Sequence, residues 1–299
     1  MNLTRLTTIC NDGSNILLLN SDYDNYAIKL DESFNIISKI KLKNTVASGS
    51  LPFFSIKDNT GVWFSDLASS RVFKIINDEI SISLQIGQGG ILGIATTPDY
   101  LFVAELGQNG ITRIGLSDTD NRITTGIQAQ LIKFDESSGL MWFVDANTKS
   151  IGVIDPNDKF GFSSIIYSIE LETTNIFDFV ILDAEVWVTT SNGVVIINKA
   201  ERRVNSQIFL SKSQICYFSG NHNIIHNSNN KVYISLPHIK SLAVINTATK
   251  SVEIINVGFN IDLIHLFNGK IFALDPYADV VLKLDSNAGL LMSSVIEVG

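Results

Sequence analysis

The 299-residue chain has only two cysteines, five prolines and three methionines. Cys10 and Cys216 cannot build a disulfide framework, and both sit in apolar surroundings that suit reduced core or loop thiols. Charge is also scarce, at 17% of residues. The 22 basic side chains are outnumbered by 30 acidic ones, giving a net charge of −8. That balance excludes a nucleic-acid binder working through a basic face. Disorder is excluded as well, because 45% of the residues are hydrophobic.

Long hydrophobic runs are missing too. The mean hydropathy of +0.22 would suit a membrane protein, yet no apolar run approaches the ~20 residues of a spanning helix. Gly193-Val-Val-Ile-Ile-Asn198 ends after four apolar residues. The first five residues, Met1 to Arg5, lack the apolar core of a signal peptide. Synthesis in the cytoplasm without membrane insertion is the expectation. Many short buried strands, separated by Asn, Asp, Ser and Gly, account for the apolar content.

Those strands repeat. A short apolar run centred on an aromatic or Leu, ending in a small or acidic residue, recurs seven times. Val62-Trp-Phe-Ser-Asp66, Leu140-Met-Trp-Phe-Val-Asp145 and Lys270-Ile-Phe-Ala-Leu-Asp275 are examples. The central residues Leu17, Trp63, Phe102, Trp142, Trp187, Tyr233 and Phe272 are 46, 39, 40, 45, 46 and 39 residues apart. A turn precedes each run, such as Asn11-Asp-Gly13, Asp183-Ala184 or Asn268-Gly269, built from residues that tolerate positive φ. A second apolar run follows each anchor, then a polar turn and a more alternating run. Each unit therefore reads as four antiparallel strands, a to d.

Units of this size predict an all-β, seven-bladed β-propeller with almost no helix. The predicted blades cover approximately residues 3–50, 51–90, 91–128, 129–175, 176–221, 222–260 and 261–299, one domain over 1–299. Strands b and c, apolar on both faces, belong between neighbouring blades. Each terminal unit supplies its own four strands, so closure is expected by face-to-face packing of blades 1 and 7 without strand exchange.

Val62–Asp66 and the run from Met141 to Ile154 resemble the Trp-Phe-Thr-Glu … Asn-Lys-Ile-Gly-Arg-Ile pattern of the virginiamycin B lyase-like propellers. They are also similar to NHL and YVTN repeats, and Gly93-Ile94 echoes the start of those blades. The resemblance implies the propeller fold. In the lyases it implies a His at the start of the last blade's inner strand, paired with a Glu ending strand b near a divalent cation. Here those positions carry Asn260 or Ile261, and Asp275, so the expected acid/base residue is missing.

Two candidate sites remain. Asp66, Glu105, Asp145 and Asp275 end strand b and would ring one mouth of the central channel. Hard cations want such oxygens, as in gluconolactonase-like propellers, with calcium or magnesium the candidates and no other cofactor expected. The same side chains could instead start the b–c turn by Asx-type hydrogen bonds. The second site is the loop 211–222, where Cys216, Tyr217 and Phe218 form an apolar tip suited to a partner protein. The histidines offer little: His222 and His226 lie ~13 Å apart on a strand, too far to share a zinc.

No catalytic constellation stands out, so the expected function is a non-enzymatic interaction or structural module docked to other protein subunits. A bacteriophage tail or baseplate component is compatible with the composition. A metal-assisted lyase or lactonase and a carbohydrate-binding propeller are the alternatives.

Overall fold

The seven runs, six centred on an aromatic and one on Leu17, become seven buried strands. The computed structural model describes residues 5–21, 26–42, 52–87, 89–105, 110–117, 122–123, 127–158, 165–210, 224–227 and 229–296. Within them lie seven four-stranded antiparallel sheets, each ordered as the chain runs. The protein is an all-β, seven-bladed propeller. The strands b are Asn15–Ser21, Val62–Asp66, Tyr100–Glu105, Leu140–Asp145, Glu185–Thr190, Lys231–Leu236 and Lys270–Asp275. All seven anchors, from Leu17 to Phe272, are buried. Among the described residues, helix is limited to one 3-10 turn, Pro237–Ile239.

Turn chemistry fixes the hairpins. Asn268 and Gly269 both take positive φ, 49° and 68°, and link strands a and b of blade 7. Asn77 and Asp78 do the same between c and d of blade 2. Such turns match the twist of the strands they join. Strand d departs from the expected half-wet alternation. In blades 5 and 7, Arg203–Phe209 and Leu290–Val295 are exposed along nearly their whole length. Each lies at the edge of its sheet with one neighbour, so neither face is fully covered.

The chain divides into two compact units. One holds blades 2, 3 and 4 with the start of strand c and most of strand d of blade 1, and the other holds blades 5, 6 and 7 with the rest of blade 1. In the first, Trp63 packs with Ile91, Ile94 and Leu101 of blade 3, and Phe102 packs with Ile132, Met141 and Phe143 of blade 4. In the second, Trp187 meets Ile224 and Val232 of blade 6, and Tyr233 meets Ile264 and Ile271 of blade 7. Strand a of blade 1, Arg5–Asp12, pairs with its own strand b and packs on Leu263–Phe267 of blade 7. The expected contact of blades 1 and 7 without strand exchange is what the structure has.

Several blades place a cation beside the anchor. Lys74, Arg113 and Lys283 stand directly across from Trp63, Phe102 and Phe272 in the b–c pairing. The Lys74 ammonium lies 4.9 Å from the Trp63 ring centre, a cation–π distance. It is also 2.5 Å from Asp58, whose other donors include the Trp63 indole at 2.8 Å. Burial pushes the Asp58 carboxyl up, but hydrogen bonds from Lys74, Thr60 and Trp63 outweigh it and hold it at about 2.

Other side chains reach the next blade. The fully buried Arg113 donates to the Pro156 carbonyl at 2.7 Å. The Tyr233 hydroxyl donates to the Ser286 carbonyl at 2.7 Å, and Lys283 donates to the Glu32 carbonyl at 3.1 Å. Each acceptor lies in the c–d turn of the following blade. Phe34 stacks edge-on to Phe272 at 6.1 Å across the same 7–1 seam.

Two predictions follow from the packing. A Cβ added to Gly152 would meet the Phe143 ring at 2.4 Å, so this glycine makes room for the aromatic opposite it. Gly152→Ala should lower stability by about 1–3 kcal/mol in urea unfolding, and a smaller loss would mean the ring moves freely. His265 accepts or donates a hydrogen bond with Asn11 at 3.0 Å, and burial holds its imidazole at about 4 instead of 6.5. Between those values the unfolded chain binds a proton that the folded chain does not. Its contribution is therefore complete above pH 6.5 and is lost as pH falls toward about 4. The loss should be at most about 3 kcal/mol. His265→Gln should flatten this part of the stability–pH curve.

Candidate functional site

The carboxylates that end strand b are structural first. Asp66 Oδ1 accepts the Ala68 N–H at 2.9 Å and Oδ2 accepts the Ser69 hydroxyl at 2.5 Å. Asp145 Oδ1 accepts the N–H of Asn147 at 2.9 Å. Asp275 Oδ1 accepts from Tyr277 at 3.0 Å, and its Oδ2 takes the Asn260 N–H at 2.9 Å. Glu105 accepts the Gly89 N–H at 2.8 Å and lies against Gly87, where a Cβ would have no room. All four are buried. Their lone pairs are directed at backbone donors of the following turn or of the chain entering the blade, the Asx-type use of such residues. Among the described residues, no three His, Cys, Asp or Glu side chains form a group able to hold a metal.

The position expected for the lyase histidine is equally occupied by structure. Asn260 uses its backbone N–H on Asp275, and Ile261 is fully buried. No imidazole is offered there. His265, further along, faces Asn11 of blade 1. The predicted partner loop at Cys216, Tyr217 and Phe218 lies outside the described residues.

A different cleft, of about 400 Å³, opens at the opposite end of blades 5 and 6. It forms where the a–b turn of blade 5, Leu182–Glu185, meets His226 and Asn230 of blade 6 and that blade's c–d turn, Thr247–Lys250. Asp183 and Ala184 are the two residues of a tight hairpin, closed by the Leu182 N–H on the Glu185 carbonyl at 2.8 Å. Glu185 starts strand b, and its Oε2 accepts from the Trp187 indole at 2.8 Å and from the Lys250 ammonium at 2.7 Å. Lys250 also lies 4.5 Å from the Trp187 ring centre. His226, on strand a, is partly buried; burial lowers its pKa while the Asp183 charge raises it, with a net lowering from 6.5.

Sequence reasoning missed this cleft. Asp183 read as a turn residue and His226 as an isolated histidine. The available signal was weak: charged residues occur at equivalent turn ends of consecutive units, but Asp183 and Lys250 are 67 positions apart and only the stacking of two blades joins them.

The fold defines the class: an all-β, seven-bladed β-propeller, similar in fold to virginiamycin B lyase. A catalytically inactive virginiamycin B lyase variant from Staphylococcus aureus, solved with quinupristin, is similar at a TM-score of 0.74 and 15% identity, covering 93% of this chain and 95% of that one. Kuenenia stuttgartiensis hydrazine synthase is similar at a TM-score of 0.74 and 13% identity, over 96% and 97% of the two chains. The Neurospora crassa Pan2 WD40 domain reaches 0.69 at 10% identity, over 91% and 86%. These likenesses are of fold, and their named functions differ widely. No family model and no curated protein matches the sequence.

If the strand-b carboxylates serve the turns, Asp145→Ala should destabilise the protein by about 1–3 kcal/mol. Calcium at millimolar concentration should leave the wild-type melting temperature unchanged. A calcium-dependent rise in melting temperature that Asp145→Ala abolishes would restore the cation reading.

Proposed function

We propose that the protein is a non-enzymatic interaction module that joins a partner protein through strand d of blade 7, the partner adding an extended, apolar, uncharged segment to its open edge. One observation carries this reading: Leu290–Val295 is an edge strand with no charged residue and no proline. Edge strands are normally guarded against pairing by charges, proline or shortness. The other six outer strands keep such guards. Lys39 and Lys41, Glu79, Arg122, Glu170, Arg203 and Glu253 lie in them.

The chemistry of the edge defines the occupant. Among the described residues, Leu290–Val295 pairs only with strand c of its own blade, so its outer backbone groups can form a further ladder. Leu290, Leu291, Met292 and Val295 are exposed beside it. A bulge sits near its start, between the pairs of Lys283 and Leu284, and the stretch from Met292 to Val295 keeps regular register. An added strand would bury apolar side chains on both faces while its backbone pairs along that stretch. Support against catalysis comes from the strand-b carboxylates, which are engaged by backbone donors, and from the absence of an imidazole at the lyase position. A subunit of a larger assembly, such as a bacteriophage tail or baseplate, with which the composition is compatible, would use an edge in this way.

Titration with an acetylated, amidated Thr-Val-Thr-Val-Thr-Val peptide tests the reading. The expected result is slowed amide exchange and shifted resonances at Met292–Val295, abolished by Ser293→Lys. Equal effects on all outer strands, or none on this one, would overturn it. A concentration-dependent dimer in sedimentation that Ser293→Lys abolishes would assign the edge to a second copy instead.

A further inference from the structure

We infer that the cleft between blades 5 and 6 is a binding site for a cationic side chain, the guanidinium or ammonium of an arginine- or lysine-bearing peptide. This inference is independent of the blade 7 edge, because it rests on a different cavity and on different residues.

The cavity comes first. A volume of about 400 Å³ accommodates a ligand of amino-acid to dipeptide size. Its titratable lining is Asp183, Glu185, His226 and Lys250. With the imidazole neutral, two carboxylates face one ammonium, an excess of one negative charge. Lys250 is already committed: it is held at 2.7 Å by Glu185 Oε2 and over the Trp187 ring at 4.5 Å. Trp187 donates to that same oxygen. Glu185 is thereby fixed in place with Oε1 left to accept. Lys199, beside the cleft, donates to the Leu182 carbonyl at 3.2 Å and lies outside the lining.

The side chains of Asp183 and His226 have no hydrogen-bond partner among the described residues. Asp183 stands on the tip of a hairpin at the lip, where it can meet an entering cation without displacing another contact. His226 approaches from the adjoining blade. A guanidinium carries five N–H donors in a planar fork, which suits two carboxylate acceptors and an imidazole nitrogen. An anionic ligand would meet the excess carboxylate. A divalent cation would lack its ligands, since among the described residues no metal-binding group of three forms. Asn230 and Thr247 border the cleft and keep its wall polar, and the Asn230 carbonyl accepts the Thr247 N–H at 2.9 Å.

The test uses the full chain and Nα-acetyl-L-arginine methylamide as probe. Side-chain resonances of His226 and the Trp187 indole should shift saturably below about 10 mM. The nearby positive charge should also lower the His226 pKa further, a change that a structural role alone would not produce. The shorter, neutral Nα-acetyl-L-norleucine methylamide, which lacks the guanidinium, should leave both unmoved. Asp183→Asn, on an exposed turn, should weaken binding about fivefold, and raised salt should weaken it in wild type. Equal response to the norleucine compound, or unchanged affinity in Asp183→Asn, would overturn the assignment. Glu185→Gln, the second variant, should also weaken binding, with an unchanged far-ultraviolet circular dichroism spectrum and melting transition reporting that the fold is intact; unchanged affinity would count against the assignment.

Discussion

A sheet that is apolar on both faces must be covered on both faces, and this requirement governs the rest of the protein. Strands b and c of each blade are built from Val, Ile, Leu and aromatics without alternation, and almost every one of these residues is buried. Such a sheet has no stable existence alone in water. Stacking one sheet against the next removes the exposed area, and the aromatic anchor fills the space between them. The hydropathy that first suggested a membrane is the signature of that stacking.

The same requirement explains which parts of the fold were legible. The anchors and their spacing are a property of every buried strand b, so they stand out along the chain. The described strands a of blades 2 to 5 are Pro52–Lys57, Ile91–Thr96, Ala129–Asp135 and Ile176–Ile181. Strand a of blade 7 begins at Leu263. In blade 7 the preceding Asn260 and Ile261 are held by turn bonds and not by the sheet: Asn260 N–H reaches Asp275, and Ile261 N–H reaches Phe259. The exposure of the outer strands was less legible, because Leu290-Leu-Met292 reads as apolar whether or not something covers it.

Chemistry was harder to read than fold. Asp66, Asp145 and Asp275 were visible as acidic residues at equivalent places, but composition cannot distinguish a carboxylate waiting for a cation from one capping a turn. The structure adds the backbone N–H groups of the following turn that these carboxylates accept. The cleft of Asp183, Glu185, His226 and Lys250 left even less trace. Its members belong to two blades, and each has an ordinary local reading as turn, strand start or turn end. Proximity created by stacking is not periodic, so no repeat announces it.

The ties from Arg113, Tyr233 and Lys283 end on carbonyl oxygens of Pro156, Ser286 and Glu32. Every residue type carries that acceptor. These three ties read the successor's main-chain path, while Lys283 also pairs with the Glu32 carboxylate at 3.1 Å and Lys231 with the Asn287 side chain at 2.8 Å. The main-chain part of each tie survives substitution of the residue that supplies the carbonyl. A seam tied in part to main-chain atoms can keep its architecture while the sequence around it changes.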